Sequence, residues 1–214
     1  AGADAAYANG KLTLTAAFKT DTQKHGNQTL VVTLEKGGKY YAVNVKVLVV
    51  TKEITNLDEL KEAVTIDESG VKYGYYRLKN SLGNSNTWIN YGNVSKWNVN
   101  DGSYGFRGTF DGCGNEISAV FYSTGLFGTL GNGAVVQNVT FTHVHEVNRM
   151  ILGYNMIGTT LKNVKVNVTG VGTTTISTEA SGLLTAIYSH SSRLINVDIS
   201  SPGTDIDTLF GRLV

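Results

Sequence analysis

The stretch FRGTFDGCGNEISAVFYSTGLFGTL, residues 106–130, decides how the chain is read. Glycine recurs at 108, 112, 114, 125 and 128, with large apolar residues set between. A helix does not carry that load, because each interior glycine costs about 1 kcal/mol relative to alanine. The stretch reads as short strands joined by tight turns, with glycine at corners whose backbone angles other residues avoid. What those strands build depends on whether the pattern recurs.

It does recur. VQNVTF (136–141), LKNVKV (161–166) and LINVDI (194–199) each place Asn-Val between apolar residues, at Asn138, Asn163 and Asn196. A second motif precedes each copy: GLFG (125–128), MILG (150–153) and GLLT (182–185), with TLFG (208–211) as a further copy. The period is about 25 residues, with one longer copy near 32, which is the signature of stacked units. Leucine-rich repeats need a helical segment, and propeller blades need about 40 residues and four strands. A coil of two or three short strands fits a parallel β-helix. One side of each strand then faces the interior: Ile117, Ala119 and Phe121; Val139 and Phe141; Val164, Val166 and Val168; Val197 and Ile199. Coils stack about 4.8 Å apart, so equivalent residues lie above one another. A recurring Asn at a bend is expected to form a side-chain amide ladder that satisfies backbone groups the bend leaves unpaired.

Upstream the period changes. In ITNLDELKEAV (54–64), Leu57, Leu60 and Val64 sit at helical spacing, and Asn56 with Glu59 fits a capping box. One short helix over 56–65 is expected, acting as a cap. Residues 1–52 alternate as strands do: KLTLTA (11–16), QTLVVTLE (28–35) and YAVNVKVLVV (41–50), with a glycine turn in EKGGK (35–39). This predicts a partial antiparallel sheet with one wet face.

YYRLKNSL (75–82), Trp88, FRGTFDGCGNEIS (106–118), GLFG and VVQNVTF (135–141) together resemble the GLUG-type right-handed β-helix of bacterial surface proteins. The resemblance spans 54–214, and Cys113 departs from it where Asn is usual. Residues 1–52, ending in VKVLVVTKEI, resemble the second half of a bacterial immunoglobulin-like domain. The resemblance implies an exported, many-module protein at the bacterial cell surface, and no particular activity. The expected architecture is all-β. A partial Ig-like sheet (1–52) precedes a capping helix and a right-handed parallel β-helix (53–214) of about three to four coils, truncated at its C-terminus.

Composition narrows the partners. The formal net charge is +1 and charged residues make up 16%. No basic cluster of the kind that binds nucleic acid is visible. Cys113 is the only cysteine, so the chain forms no internal disulfide. No run of about 18 apolar residues exists, so no membrane span is expected in this segment.

Polysaccharide lyases and many glycosidases use the β-helix, so an enzyme would carry their catalytic constellations. Glycosidases need two carboxyls at a defined separation. The β-helical region offers Asp101, Asp111, Glu116, Glu146, Glu179, Asp198, Asp205 and Asp207. Asp111, in FDG, reads as a turn residue bonded to local backbone. In THVHEVNR (142–149), His143 and His145 alternate on a strand and, with Glu146 or His190, form a candidate metal set. The simpler reading, adopted here, puts both imidazoles at the solvent rim. Arg149 as a lyase base lacks a nearby carboxylate cluster. No catalytic residue, metal or cofactor is assigned.

Aromatics are denser. Tyr73, Tyr75, Tyr76, Trp88, Tyr91, Trp97, Tyr104 and Phe106 crowd one irregular region. Tyr and Trp beside Asn and Ser supply adaptable contact surfaces, as in paratopes. Trp88, Tyr91, Trp97 and Tyr104 are the candidate ligand-binding residues; the competing reading has Trp88 and Trp97 filling the first coil. The functional expectation is a non-enzymatic module that binds an extracellular glycan or a host or matrix surface. A carbohydrate-active enzyme with its site partly outside the segment, and a passive spacer, stand as alternatives.

Overall fold

The computed structural model describes residues 5–9, 11–14, 25–66, 70–92, 103–122, 124–144, 150–169, 183–188, 191–201 and 210–213. The chain divides into two compact units, Ala1–Thr51 and Lys52–Val214. The first holds two antiparallel ladders: β1 (Ala5–Ala8) with β2 (Lys11–Leu14), and β3 (Gly26–Lys36) with β4 (Lys39–Val49). Gly37 and Gly38 both have positive φ, 58° and 72°, the two-residue turn whose twist matches a hairpin. Leu30 pairs with Val45 and Val32 with Val43, so the alternating apolar residues share one face. Among the described residues β2 pairs with β1 and not with β3, so the strands expected to share one sheet fall into two ladders.

The second unit opens with β5 (Lys52–Ile54) and α1 (Leu57–Val64). The helix starts where Asn56 Oδ1 accepts the Glu59 N–H at 2.9 Å. The Glu59 carboxylate reaches one residue further back than a standard capping box, bonding the N–H and hydroxyl of Thr55, each at 2.7 Å. At the other end the Lys72 ammonium bonds the carbonyls of Glu62 and Thr65, where a cation meets the negative end of the helix dipole. Leu60, Ala63 and Val64 are buried in the core that also contains Ile54 and Leu78. Removing the cap in Asn56→Ala should cost about 1 kcal/mol, seen as a fall of roughly 2–4 °C in the melting temperature of this unit.

Beyond the helix every regular element among the described residues is a strand, and every pairing in this unit is parallel. One sheet runs from β5 through β7 (Tyr75–Leu78), β10 (Thr109–Asp111), β13 (Val135–His143) and β15 (Thr160–Val168) to β17 (Arg193–Ser200). A second runs through β6 (Val71–Lys72), β9 (Gly105–Phe106), β12 (Gly128–Leu130), β14 (Gly153–Met156), β16 (Thr185–Tyr188) and β18 (Phe210–Leu213). β8 (Leu82–Ile89) and β11 (Glu116–Phe121) extend the first sheet along the C-terminal half of β13. The chain thus returns to the same sheet once per repeat, one strand further along. No helix among the described residues is long and apolar enough to cross a membrane.

The register stacks like on like. Val139, Val164 and Val197 form one column, and Phe141, Val166 and Ile199 another. The residues expected inside from Ile117 to Val168 are buried, while Val197 and Ile199 are partly buried against the same core. The Phe127 ring packs against Phe106 at 5.1 Å and Phe110 at 5.5 Å between centroids. At Gly125, φ is 64°, and a Cβ there would lie 2.7 Å from the Met150 carbonyl oxygen, so this corner excludes side chains. The rim position expected for His143 is overturned. Alternation from Val139 through Phe141 carries it inward, fully buried opposite Ala119 and Val168. Its Nδ1 accepts the Phe121 N–H at 3.3 Å.

Candidate functional site

The candidate site is an aromatic pair raised on the outer face of the β8–β11 ladder. These strands pair at Leu82 with Ile117 and Gly83 with Ser118, then again at Trp88 with Val120 and Ile89 with Phe121. Residues 84–87 therefore bulge out opposite Ala119 alone. Two turns of hydrogen bonding shape the bulge: Asn86 N–H donates to Asn84 Oδ1 at 2.8 Å, and Asn84 N–H to Thr87 Oγ1 at 3.0 Å. Ile89 and Phe121 point inward and are fully buried, which forces their neighbours Trp88 and Tyr122 outward. Trp88 is 60% exposed and Tyr122 37%. Their rings lie 6.0 Å apart, tilted by 57°. Asn90 Oδ1 pins the strand ends beneath them by accepting from the Thr124 N–H and hydroxyl, at 3.0 and 2.7 Å. The result is an amphipathic aromatic surface rimmed by the uncharged side chains of Asn84, Ser85, Asn86 and Thr87, the first three exposed.

The other candidates fall elsewhere. Trp88 does not fill the first coil, since it faces solvent. Tyr91 is half-buried against the core with the Lys61 ammonium 5.9 Å from its ring centre. Burial, then the charge of Asp58, raises its pKa. Tyr104 is buried, which corrects its assignment to a ligand surface: its ring has no face to offer. Trp97, His145, Glu146, Arg149 and His190 lie outside the described residues. Among the described residues no group of three His, Cys, Asp or Glu could hold a metal ion. Tyr122 was not among the sequence candidates; its position two residues after Val120, in alternation with the core residues, was the available signal.

A second polar feature runs up the bend between β-segments. Asn138, Asn163 and Asn196 all adopt left-handed backbone, with φ of 51°, 52° and 52°, a conformation Asn tolerates better than most residues. Asn196 Nδ2 donates to Asn163 Oδ1 at 3.0 Å, and Asn163 Nδ2 to Asn138 Oδ1 at 2.9 Å. The chain of amides ends on a carboxylate: Asn138 Nδ2 donates to Asp111 Oδ1 at 3.1 Å. Cys113 holds the same left-handed angle, φ 53°, one coil earlier, and its N–H donates to Asp111 Oδ1 at 2.9 Å. Asp111 Oδ2 accepts from the Tyr75 hydroxyl and, at 2.8 Å, from Gln137 Nε2. Asp111 is therefore more than the local turn residue it resembled. Burial works to raise its pKa, but the donors, Tyr75 first, outweigh it and hold the carboxyl below its ordinary value. Tyr75 is pushed up to about 12, by burial and then by the Asp111 carboxylate. The donors saturate this carboxylate, which suits a structural anchor.

No protein-family model matches the chain, and no curated protein or solved structure shows significant similarity to it.

Proposed function

We propose that the chain is a non-enzymatic module of an exported bacterial cell-surface protein and that it binds glycans through the Trp88–Tyr122 surface. In this reading residues 53–214 are a right-handed parallel β-helix of the GLUG type capped by α1, and residues 1–52 are part of an Ig-like module. The all-parallel pairing, the return to the same sheet once per repeat and the stacked Asn-Val positions support the β-helix. The exposed aromatic pair carries the functional reading. Large aromatic rings are ordinarily core residues, yet here two stand together in solvent beside amides and hydroxyls. A pyranose ring complements that arrangement, with an apolar C–H face for the rings and hydroxyls for the rim. The surface lacks charged side chains at Asn84–Thr87, which fits a sugar better than an ionic partner.

The test is a glycan array with the intact protein, followed by calorimetric titration of the best sugar into Trp88→Ala. Binding should weaken at least tenfold, about 1.4 kcal/mol, with the melting temperature shifted by no more than about 2 °C, as for an exposed residue. An array on which the wild-type protein retains no sugar, or a variant that binds as tightly as wild type, would end the proposal.

A further inference from the structure

One polar position per strand is repeated up the outer face beside the aromatic pair. Ser118, Thr142, Asn167 and Ser200 occupy one register column, each paired with the next across adjacent strands. Each alternates with core residues: Ser118 with Ile117 and Ala119, Thr142 with Phe141 and His143, Asn167 with Val166 and Val168. That alternation turns all of them outward. Ser118, Thr142 and Asn167 are half-exposed and Ser200 exposed. None of the four side chains is engaged in a hydrogen bond with another described residue. The contrast with Asn138, Asn163 and Asn196, whose amides bond one another, is direct. The column starts beside the aromatic pair: on β11, Ser118 lies two residues before Val120, the partner of Trp88, and four before Tyr122.

We infer that this column continues the aromatic platform into a binding track for a linear, uncharged polysaccharide lying along the stacking direction, across the strands. The inference rests on the glycan-binding reading of Trp88 and Tyr122 and extends it to the class and orientation of the ligand. Rungs recur every ~4.8 Å, so Ser118 to Ser200 spans about 14 Å. A pyranose unit in an extended chain advances by about one rung spacing, so successive rings each meet one hydroxyl or amide of the column. Charge selects against polyanions. The track itself is neutral, and the adjoining column of Glu116, Thr140, Lys165 and Asp198 carries two acids against one base. A uronate polymer would meet net repulsion there, whereas a neutral chain loses nothing.

The experiment compares neutral β-1,4-linked disaccharides, tetrasaccharides and hexasaccharides of glucose, mannose, xylose and N-acetylglucosamine with oligogalacturonates of the same lengths, by calorimetry on the full chain. For the best neutral series, the hexasaccharide should bind at least tenfold tighter than the disaccharide. In the triple variant Thr142→Ala, Asn167→Ala, Ser200→Ala, that gain should vanish while disaccharide affinity stays within twofold. Trp88→Ala should weaken every length. Equal affinity for short and long neutral oligomers, an unaltered hexasaccharide in the triple variant, or tighter binding of the oligogalacturonates would overturn the track and leave the aromatic platform standing. Failure of every probe, or indifference to Trp88→Ala, would instead remove the platform and the track with it. Thermal unfolding of the triple variant, whose substitutions fall at half-exposed and exposed positions, separates lost binding from lost fold.

Discussion

Phe127→Ala is expected to destabilise the Lys52–Val214 unit by about 3–5 kcal/mol, the range for emptying an aromatic site in a packed core. Phe127 is fully buried, and its ring packs against Phe106 and Phe110, which both come from the preceding coil. It is the third residue of GLFG. Its N–H donates to the Leu152 carbonyl at 2.8 Å, and the Leu152 N–H to that of Leu184 at 3.1 Å, so the residue belongs to a column of buried side chains. A void there lies between coils, and neither neighbour can collapse into it without shifting its own strands. In stacked architectures stability is close to a sum of unit and interface terms, so damage should be greatest locally. Urea unfolding would give the magnitude. Hydrogen exchange should show the largest loss of protection in Gly128–Leu130 and Gly153–Met156, and less at the helix cap. Phe127→Leu should cost less than half as much, because it keeps most of the buried volume. A loss below about 1 kcal/mol for the alanine variant would mean that the aromatic column does not bear the stack.

The same column explains what could be read from sequence and what could not. The strands, their alternation and the repeat were legible because each coil restates one chemical pattern: a small corner, an apolar pair, then Asn-Val. Register follows from such repetition, since any other offset would set Asn opposite Val. The helix was legible from spacing and cap, although the Glu59 carboxylate bonds chiefly the N–H and hydroxyl of Thr55, one residue before the cap. Trp88 was not assignable to inside or outside, because the four-residue bulge at 84–87 interrupts the alternation that would have fixed it. Tyr122 stands apart from the dense aromatic cluster that ends at Phe106, and only the stacking of β8 on β11 brings it beside Trp88. His143 was misplaced although its alternation with Val139 and Phe141 was visible: polarity was allowed to outrank period, and the core accommodated an imidazole that accepts a backbone N–H. Asp111 was read from its nearest neighbours, which captures the bond from the Cys113 N–H. Its bonds to Tyr75, Gln137 and Asn138 join positions 36, 26 and 27 residues away. Only the stacking brings those together.

That long-range anchor makes Asp111→Ala the other severe substitution, with an expected cost of about 3 kcal/mol. Removing the carboxylate takes their acceptor from the Tyr75 hydroxyl, the Asn138 amide and the Cys113 N–H, and leaves the Gln137 amide only the Tyr75 hydroxyl at 3.4 Å. A buried donor left unsatisfied costs about 1–3 kcal/mol; Gln137 and Asn138 are only half-buried and recover part of their loss in water. Asp111→Asn separates charge from shape. It keeps the volume but replaces the ionised acceptor with an amide, resembling the protonated acid. Because the folded carboxyl titrates below its ordinary value of 3.8, the ionised form is favoured by folding. Its stabilisation is complete above the unfolded-state value and is lost as pH falls through the depressed one. The stability gap between wild type and Asp111→Asn should therefore be widest near about pH 7 and close toward about pH 2. Urea midpoints at the two pH values measure it, and referencing to the variant cancels the contributions of Glu53, Glu59 and Glu62, whose carboxyls are also held low by their own partners. Tyr75 supplies the opposite limb. Its phenol, raised to about 12, contributes fully below the ordinary tyrosine value of 10.0 and ceases to contribute as pH rises through about 12. In Asp111→Asn the carboxylate's share of that elevation disappears, so ultraviolet titration should show Tyr75 ionising at lower pH than in wild type. A gap that is independent of pH, with an unchanged phenol titration, would mean that the carboxylate does not hold the amide chain and that the asparagines stack without it.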